Sequence, residues 1–449
     1  MTKEKKQLGL EPIYDVKELG TGRTLVLGLQ HMFAMFGATV LVPLLTGLNV
    51  STALFFAGVG TLLFHLLTKG KVPAFLGSSF AFIAGYQTVA PNGDPARLPY
   101  AVGGIFVAGL VYVVVAILFK FLGPKRVMRF FPPVVTGPVI ILIGLILAPS
   151  ALNNIQAPIV GRNGAELGLG INWLIAFVVI ATVIICNIWG KGMIKIVPIL
   201  VALVIGYGLS LVFGIVDFSG LQGVGVFHLP LAKERFMKFE ASAIITIVPI
   251  ALATIMEHIG DIMAIGATTR RNYILDPGLH RTLLGDGLAT SLASAFGGPA
   301  NTTYGENTGV LVLTRVFDPL VMRIAAAFAI IASFFPAIEA VISSIPGVVI
   351  GGISFILYGM ISAIGVRTLV ENQVDLTKTR NLVIAALILV SGLGFDAIGG
   401  LSIPVGQSHL VFSGLAIAAI VGIVMNGILP GKDYEFKVYD EDGNEQAVE

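Results

Sequence analysis

Three carboxylates stand out as the chemistry this chain can do: Glu257, Asp261 and Glu306. Each lies in or against an apolar run, in a chain of 449 residues of which only 12% are charged. Glu257 and Asp261 are one helical turn apart and share a helix face. A carboxylate inside a bilayer is costly and, as a rule, functional. Three near one pocket need cations, protons or a donor-rich ligand to balance them. Burial and mutual repulsion then favour a proton on one of them, taken up with a ligand and released on the far side. A hydrogen bond to a neighbouring helix is the plainer role open to each, and most so to Asp261. Asp286, in LLGDGLATS, is open to both readings. Phe80 and Tyr304 sit beside these acids and offer faces for a flat ring. Ser78 and Ser79 add hydroxyls that either contact a ligand or cap a helix. A flat heterocycle with alternating N–H donors and C=O acceptors would satisfy such a set. His31 and His258 are better suited to satisfying buried polar groups. No His, Cys or acid spacing suggests a metal site, and no nucleophile–base pair suggests an enzyme.

These residues need a membrane scaffold. The chain is 55% hydrophobic with a mean hydropathy of +0.91, whereas soluble domains average about 25% charged residues. A soluble enzyme, a nucleic-acid binder and a disordered scaffold are poor fits. The net charge of +2 suggests no polyanionic partner. The one cysteine, Cys186, lies in an apolar run and reads as a small buried hydrophobe. The polar start is followed by no short apolar core, so no cleavable signal is expected. Spans are expected near 24–46, 51–68, 98–122, 132–148, 171–190, 196–216, 241–266, 281–297, 320–343, 347–365, 381–395 and 409–429. Two further segments, 73–90 and 299–314, are too polar or too short for ordinary helices. They read as crossings made of extended chain followed by a half-helix, for 14 in all. With the N-terminus inside, every Lys and Arg except Arg97, Arg162, Lys233, Arg235 and Lys238 falls on the cytoplasmic side. Dropping either broken crossing would scatter that bias.

The two halves look alike. QHMFAMFGAT at 30–39 matches MEHIGDIMAIGAT at 256–268, PAFLGSSFAF at 73 matches PANTTYGEN at 299, and PPVVTGPVI at 132–140 matches PGVVIGGIS at 346–354. Seven crossings separate equivalent elements. Seven is odd, so the second half enters the membrane upside down, and paired broken segments then mark a binding site. Non-helical backbone at that depth must face protein or a water-filled cavity. The two half-helix starts, with free N–H groups and positive dipole ends, would converge there.

At these residues the sequence resembles the nucleobase–ascorbate transporter family, the nucleobase:cation symporter-2 group. ENTGVLVLTR at 306–315 fits that family's signature, and QHMFAMFGATVLVP, VPAFLGSSFAF, MEHIG and NTTYGEN are similar to its bacterial uracil permease branch. The resemblance covers about 24–430. It implies an all-α integral membrane fold of 7+7 inverted segments, with segments 3 and 10 broken. It implies a core domain (24–125 and 240–343), a gate domain (126–239 and 344–430), cytoplasmic tails (1–23 and 431–449) and a homodimer in the cell membrane. The activity implied is proton-coupled uracil uptake by an elevator-like movement, with no cofactor and with Na⁺ as a coupling ion left open. By position, Glu257 and Glu306 would bind the pyrimidine imide, and Phe80 would stack on the ring. Tyr304 and Gly305 would line it, Gly305 through its N–H, with Ser79 beside them. Glu257, Asp261 and Glu306 would couple the proton, with His31, Asn307 and Asp286 in support. A Gln at position 306 is typical of purine carriers, so Glu306 favours uracil. Asp261 stands where the uracil branch has His and some purine carriers have Asp, which leaves a xanthine or purine symporter open. An anion transporter of the same architecture is a third reading, opposed by Glu306.

Overall fold

The computed structural model describes residues 9–161, 166–405, 408–431, 434, 438–439 and 445–446, and not the side chains of Ile196, Glu306 or residues 405, 408, 409, 438, 439, 445 and 446. Much of both expected tails, Arg162 among the charges assigned outside, and the side chain of Glu306 therefore lie outside the described residues.

The chain folds into helices wherever apolar runs are long: α1 (Thr21–Thr46), α2 (Val50–Leu67), strand β1 (Leu76–Ser78), α3 (Ile83–Val89), α4 (Leu98–Leu122), α5 (Pro133–Gln156), α6 (Leu169–Ile188) and α7 (Pro198–Val212). There follow α8 (Ala241–Ile247), α9 (Ile250–Thr269), α10 (Leu279–Ala295), β2 (Asn301–Thr303), α11 (Gly305–Thr314), α12 (Leu320–Ser333), α13 (Pro336–Ser343), α14 (Gly347–Glu371), α15 (Thr379–Ala397), the hairpin β3 (Leu401–Val405) and β4 (Ser408–Phe412), and α16 (Gly414–Ile428). Among the described residues, eight helices are long and apolar enough to cross a membrane, with α8 and α9 taken as one. The bent pair α12–α13 makes a ninth, and α7 and α16 are apolar but shorter.

Several expected spans differ from what forms; the one near 281–297 becomes α10, a 17-residue helix outside the membrane-length set. The run 320–343 turns by 85° between α12 and α13, because Pro336 lacks the N–H that would continue the helix. The run 241–266 breaks at Val248–Pro249 between α8 and α9, for the same reason. The last span starts at Gly414 rather than 409: residues 401–412 pair as a hairpin, and Ser413 caps the helix by accepting from the Ala416 amide at 3.3 Å. The fold is thus helical with short strands rather than purely helical.

The helices sort by packing. One set joins α1, α2, α4, α8, α10 and α12; the other joins α5, α6, α7, α14, α15 and α16. Glycines let the closest pairs approach. A Cβ on Gly109 of α4 would lie 2.6 Å from the Gly287 carbonyl of α10, and a Cβ on Gly144 of α5 would lie 2.0 Å from the Tyr358 carbonyl of α14. Against α1, α2 and α10 of the first set run β1 and β2, antiparallel, with Leu76 opposite Thr303, Gly77 opposite Thr302 and Ser78 opposite Asn301. Outside the apolar segments, Arg97 before α4 grips the Glu240 carboxylate before α8 with two bonds of 2.6 and 3.1 Å.

Gly144→Val should push α5 off α14, at an overpacking cost of about 1–3 kcal/mol, read as a lower midpoint in thermal unfolding of detergent-purified protein. The Arg97 guanidinium, with help from Ser242, holds the Glu240 carboxyl below its usual range. Because the folded value is depressed, the stabilisation is present above the ordinary carboxylate pKa of about 4.3 and is lost as pH falls through the lowered value. The pair is partly exposed, so the effect is small. Arg97→Gln should flatten the fall in thermal midpoint below about pH 4.

Candidate substrate site

The site is built on the strand pair. Each strand begins with a residue held by a threonine on a flanking helix: Thr61 of α2 bonds both the Leu76 N–H (2.9 Å) and its carbonyl (3.3 Å), and Thr290 of α10 donates to the Asn301 carbonyl. Asn301 also donates to the Phe56 carbonyl at 2.6 Å. Beyond the ladder, the Ser79 amide donates to Ala300 at 2.9 Å and the Tyr304 amide to Phe75 at 3.0 Å. In both cases the residue just after one strand reaches the residue just before the other, so the arrangement is unchanged when the strands are exchanged. The Tyr304 hydroxyl donates to the Ser78 carbonyl at 2.7 Å, and Thr39 of α1 donates to that hydroxyl at 3.3 Å. The Tyr304 ring lies against Gly77 of β1, where a Cβ would come within 2.5 Å of it.

A cavity of about 590 Å³ opens where α11 begins. Ser79, Phe80, Glu257, Asp261, Tyr304 and Gly305 all line it, so six expected site residues from three separate segments meet in one space. Helix α11 starts at Gly305 with no side-chain cap, leaving first-turn N–H groups for another partner. The Asp261 carboxylate sits over that start: a Cβ on Gly305 would lie 3.3 Å from its Oδ1, a placement the helix dipole favours. The Ser79 hydroxyl is buried and has no hydrogen-bond partner among the described residues, so it caps no helix here. Phe80 meets the Tyr358 ring edge-on at 5.9 Å and 82°. Tyr358 belongs to α14, so this contact joins the two helix sets.

Three expected supporting residues lie outside the cavity. Asp286 is fully buried on α10, with Oδ2 3.3 Å from His258 Nδ1. Asn307 turns to the other side of α11 and meets His31 Nδ1 at 3.2 Å and its carbonyl at 3.3 Å. His258 meets the Thr303 hydroxyl at 3.2 Å. Thr303 was not singled out in the sequence, yet it joins two groups: it donates to Asp261 Oδ2 at 3.2 Å and faces His258. Asp261, Thr303 and His258 are joined at hydrogen-bond distances, and Asp286 stands behind them, 3.3 Å from the same His258 Nδ1. Nothing in the sequence singled out Thr303, in a strand polar and buried at all three positions, or Tyr358. At its other end the cavity reaches Arg367 and Glu371 on α14, paired at 2.6 Å, and Tyr434. Among the described residues no three His, Cys, Asp or Glu side chains stand close enough to hold a metal.

The permease family model (Xan_ur_permease) matches residues 22–398. The chain belongs to this permease family. The relatives agree: it is 43% identical over 428 residues to the uracil permease of Bacillus caldolyticus, covering 94% of this chain and 96% of that one. It is 43% identical over 436 residues to the uracil permease of Bacillus subtilis, covering 96% and 97%. Among solved structures it is similar to the transmembrane domain of the cyanobacterial bicarbonate transporter BicA, with a TM-score of 0.64 at 16% identity, over 93% of this chain and 99% of that one. At that identity the likeness is one of fold. A member of this permease family with eight or nine membrane-length helices is a multi-pass membrane transporter and not an enzyme.

In this permease, Thr303→Val should keep the shape of β2 and cut the link between Asp261 and His258. The expected result is a shifted pH dependence of transport with little change in thermal midpoint, measured on the same purified preparation in proteoliposomes and in detergent. A pH profile matching wild type would show that the link carries no protonic role.

Proposed function

We propose that this permease takes up a nucleobase, uracil first, together with a proton. One observation carries the proposal: two carboxylates, an unpartnered hydroxyl, two aromatic rings and an uncapped half-helix start surround one cavity. Its volume falls within the range of about 300–1,000 Å³ usual for small-molecule sites. A pyrimidine imide offers N–H to Glu257 and to Glu306 and takes N–H from Gly305 on its carbonyl, while Phe80 and Tyr304 cover its faces. The naming of the relatives as uracil permeases supports uracil. The bicarbonate transporter shares the fold, but carboxylates at the cavity disfavour an anion.

The coupling acids in this reading are Glu257, Asp261 and Glu306, with Asp261 tied through Thr303 to His258 and Asp286. The strand pair and half-helices, with α1, α2, α4, α8, α9, α10 and α12, form the moving core; α5, α6, α7, α14, α15 and α16 form the gate. The exchange symmetry of β1 and β2 supports a 7+7 inverted repeat of 14 segments, with both termini cytoplasmic in the cell membrane and the gate mediating a homodimer. The cavity reaches the end of α14 that the basic residues assign to the cytoplasm, so the conformation described is inward-facing. The core then carries substrate and proton across by an elevator-type movement, and the Phe80–Tyr358 contact must break and re-form.

Labelled uracil uptake by cells lacking their own permease tests this. Uptake should collapse with a protonophore, and unlabelled uracil should compete better than xanthine. Glu257→Gln replaces a charge-assisted bond, worth about 1.5–3 kcal/mol, and should weaken apparent affinity by about 10- to 100-fold. Better competition by xanthine would make it a purine carrier, the reading that Asp261 favours.

A further inference from the structure

The segment before α1 makes no contact with the cavity, yet it binds the far ends of both helices that serve it. Helix α11 is short and packs on one face only: Val310, Leu311 and Thr314 are buried, while Val312 and Leu313 are 55% and 37% exposed and a Cβ at Gly309 would meet nothing within 4 Å. From Gly305 to Thr314 it is about 15 Å long. Even pivoting at its strand end, a tilt of a few degrees would re-aim its first-turn N–H groups relative to the acids on α9.

Residues 9–19 sit on the opposite end. The Gly9 amide donates to the Thr314 carbonyl at 3.1 Å, the Ile13 amide to Arg315 at 2.8 Å, and the Phe317 amide back to Ile13 at 2.8 Å. The Arg315 guanidinium donates to the Leu10 carbonyl at 2.8 Å, and the Val16 amide to Asp318 Oδ2 at 3.0 Å. Ile13 is fully buried in a small cluster of its own, with Val16, Leu19, Leu27, Val316 and Val321. The next residue, Tyr14, turns to α9: its hydroxyl donates to the Thr269 carbonyl at 2.9 Å. Arg271 lies 4.6 Å above its ring, and Phe317 packs against it at 5.5 Å. Helices α9 and α11 both end in a left-handed residue, Arg270 and Arg315, and the segment lies across both ends.

We propose that residues 9–19 are a brace that fixes α9 and α11 to each other, with Ile13 and Tyr14 as positioning residues for the site. Through the brace the acids of α9 and the start of α11 keep their spacing while the body that carries them moves. This role rests on the reading of the cavity as the substrate site.

The test uses the full chain. Hydrogen exchange is measured without ligand on wild type, Ile13→Ala, Tyr14→Ala and Tyr14→Phe. In the alanine variants the amides of α11 should exchange at least about tenfold faster, while those of α4 and α10 stay unchanged. Tyr14→Phe keeps the ring and loses one bond, and should stay within about threefold of wild type. In proteoliposomes the alanine variants should raise KM for uracil about fivefold with Vmax within about twofold. Unchanged exchange in α11 would overturn the brace, as would a uniform rise through α4 and α10, which marks a general stabiliser. Faster α11 exchange with an unchanged KM would overturn the positioning role. Faster α11 exchange in a protein whose wild type transports no uracil would support the brace and remove the uracil reading instead.

Discussion

Backbone N–H and C=O groups inside an apolar bundle must find partners, and two three-residue strands in this permease find them in each other. Neither Leu76–Ser78 nor Asn301–Thr303 can hydrogen-bond within itself. Left alone in a medium without water, each would carry several unsatisfied groups, at a few kcal/mol apiece. Paired, they close a ladder that Thr61, Thr290 and Asn301 extend to the helices on either side. Much of the rest follows from that pairing. It fixes where α3 and α11 begin, brings Phe80 and Tyr304 to one place, and sets the start of α11 under the Asp261 carboxylate.

Extended chain in the interior also explains why the site is polar in an apolar protein. A continuous helix would have consumed the amides that a half-helix leaves free. The cost falls on the short helices, which bury little surface of their own. Helix α11 is therefore held from outside itself, by α1 through His31 and Asn307 at its first turn and by the segment before α1 at its last. The glycine-lined crossings of α4 with α10 and of α5 with α14 give each helix set its own close packing. Contacts between the sets include an aromatic edge such as Phe80 on Tyr358, which can be exchanged at lower cost than an interlocked backbone.

Much of this was legible from residue types. Hydropathy located most of the long helices, because a membrane-length helix needs about 20 apolar positions and few other elements do, though the expected 132–148 and 347–365 run on to Gln156 and Glu371. Pro336 and Pro249 were visible, but whether a proline kinks a span or splits it depends on what packs against the break. The expected span 409–429 takes in the end of the hairpin, 409–412, because apolar residues there do not alternate strictly enough to separate strand from helix. Ser79, Phe80, Glu257, Asp261, Tyr304 and Gly305 were legible as a set because polar or aromatic residues at broken points of an apolar chain have few other uses. Thr303 was not, since a threonine in a short strand has many uses and its two partners lie on a different helix.

The sequence by itself determined that the chain spans a membrane, that two of its segments cannot be continuous helices, and which acids lie in apolar surroundings. These are properties of composition and local order, fixed by the cost of placing charge and unpaired backbone in hydrocarbon. Only the tertiary structure decided that β1 pairs with β2, that Asp261 reaches His258 through Thr303 while Asp286 stays behind it, and that Ile13 and Tyr14 meet residues some 250 to 300 positions away. Such contacts form between elements remote in the chain, where local residue order places no limit on which groups meet.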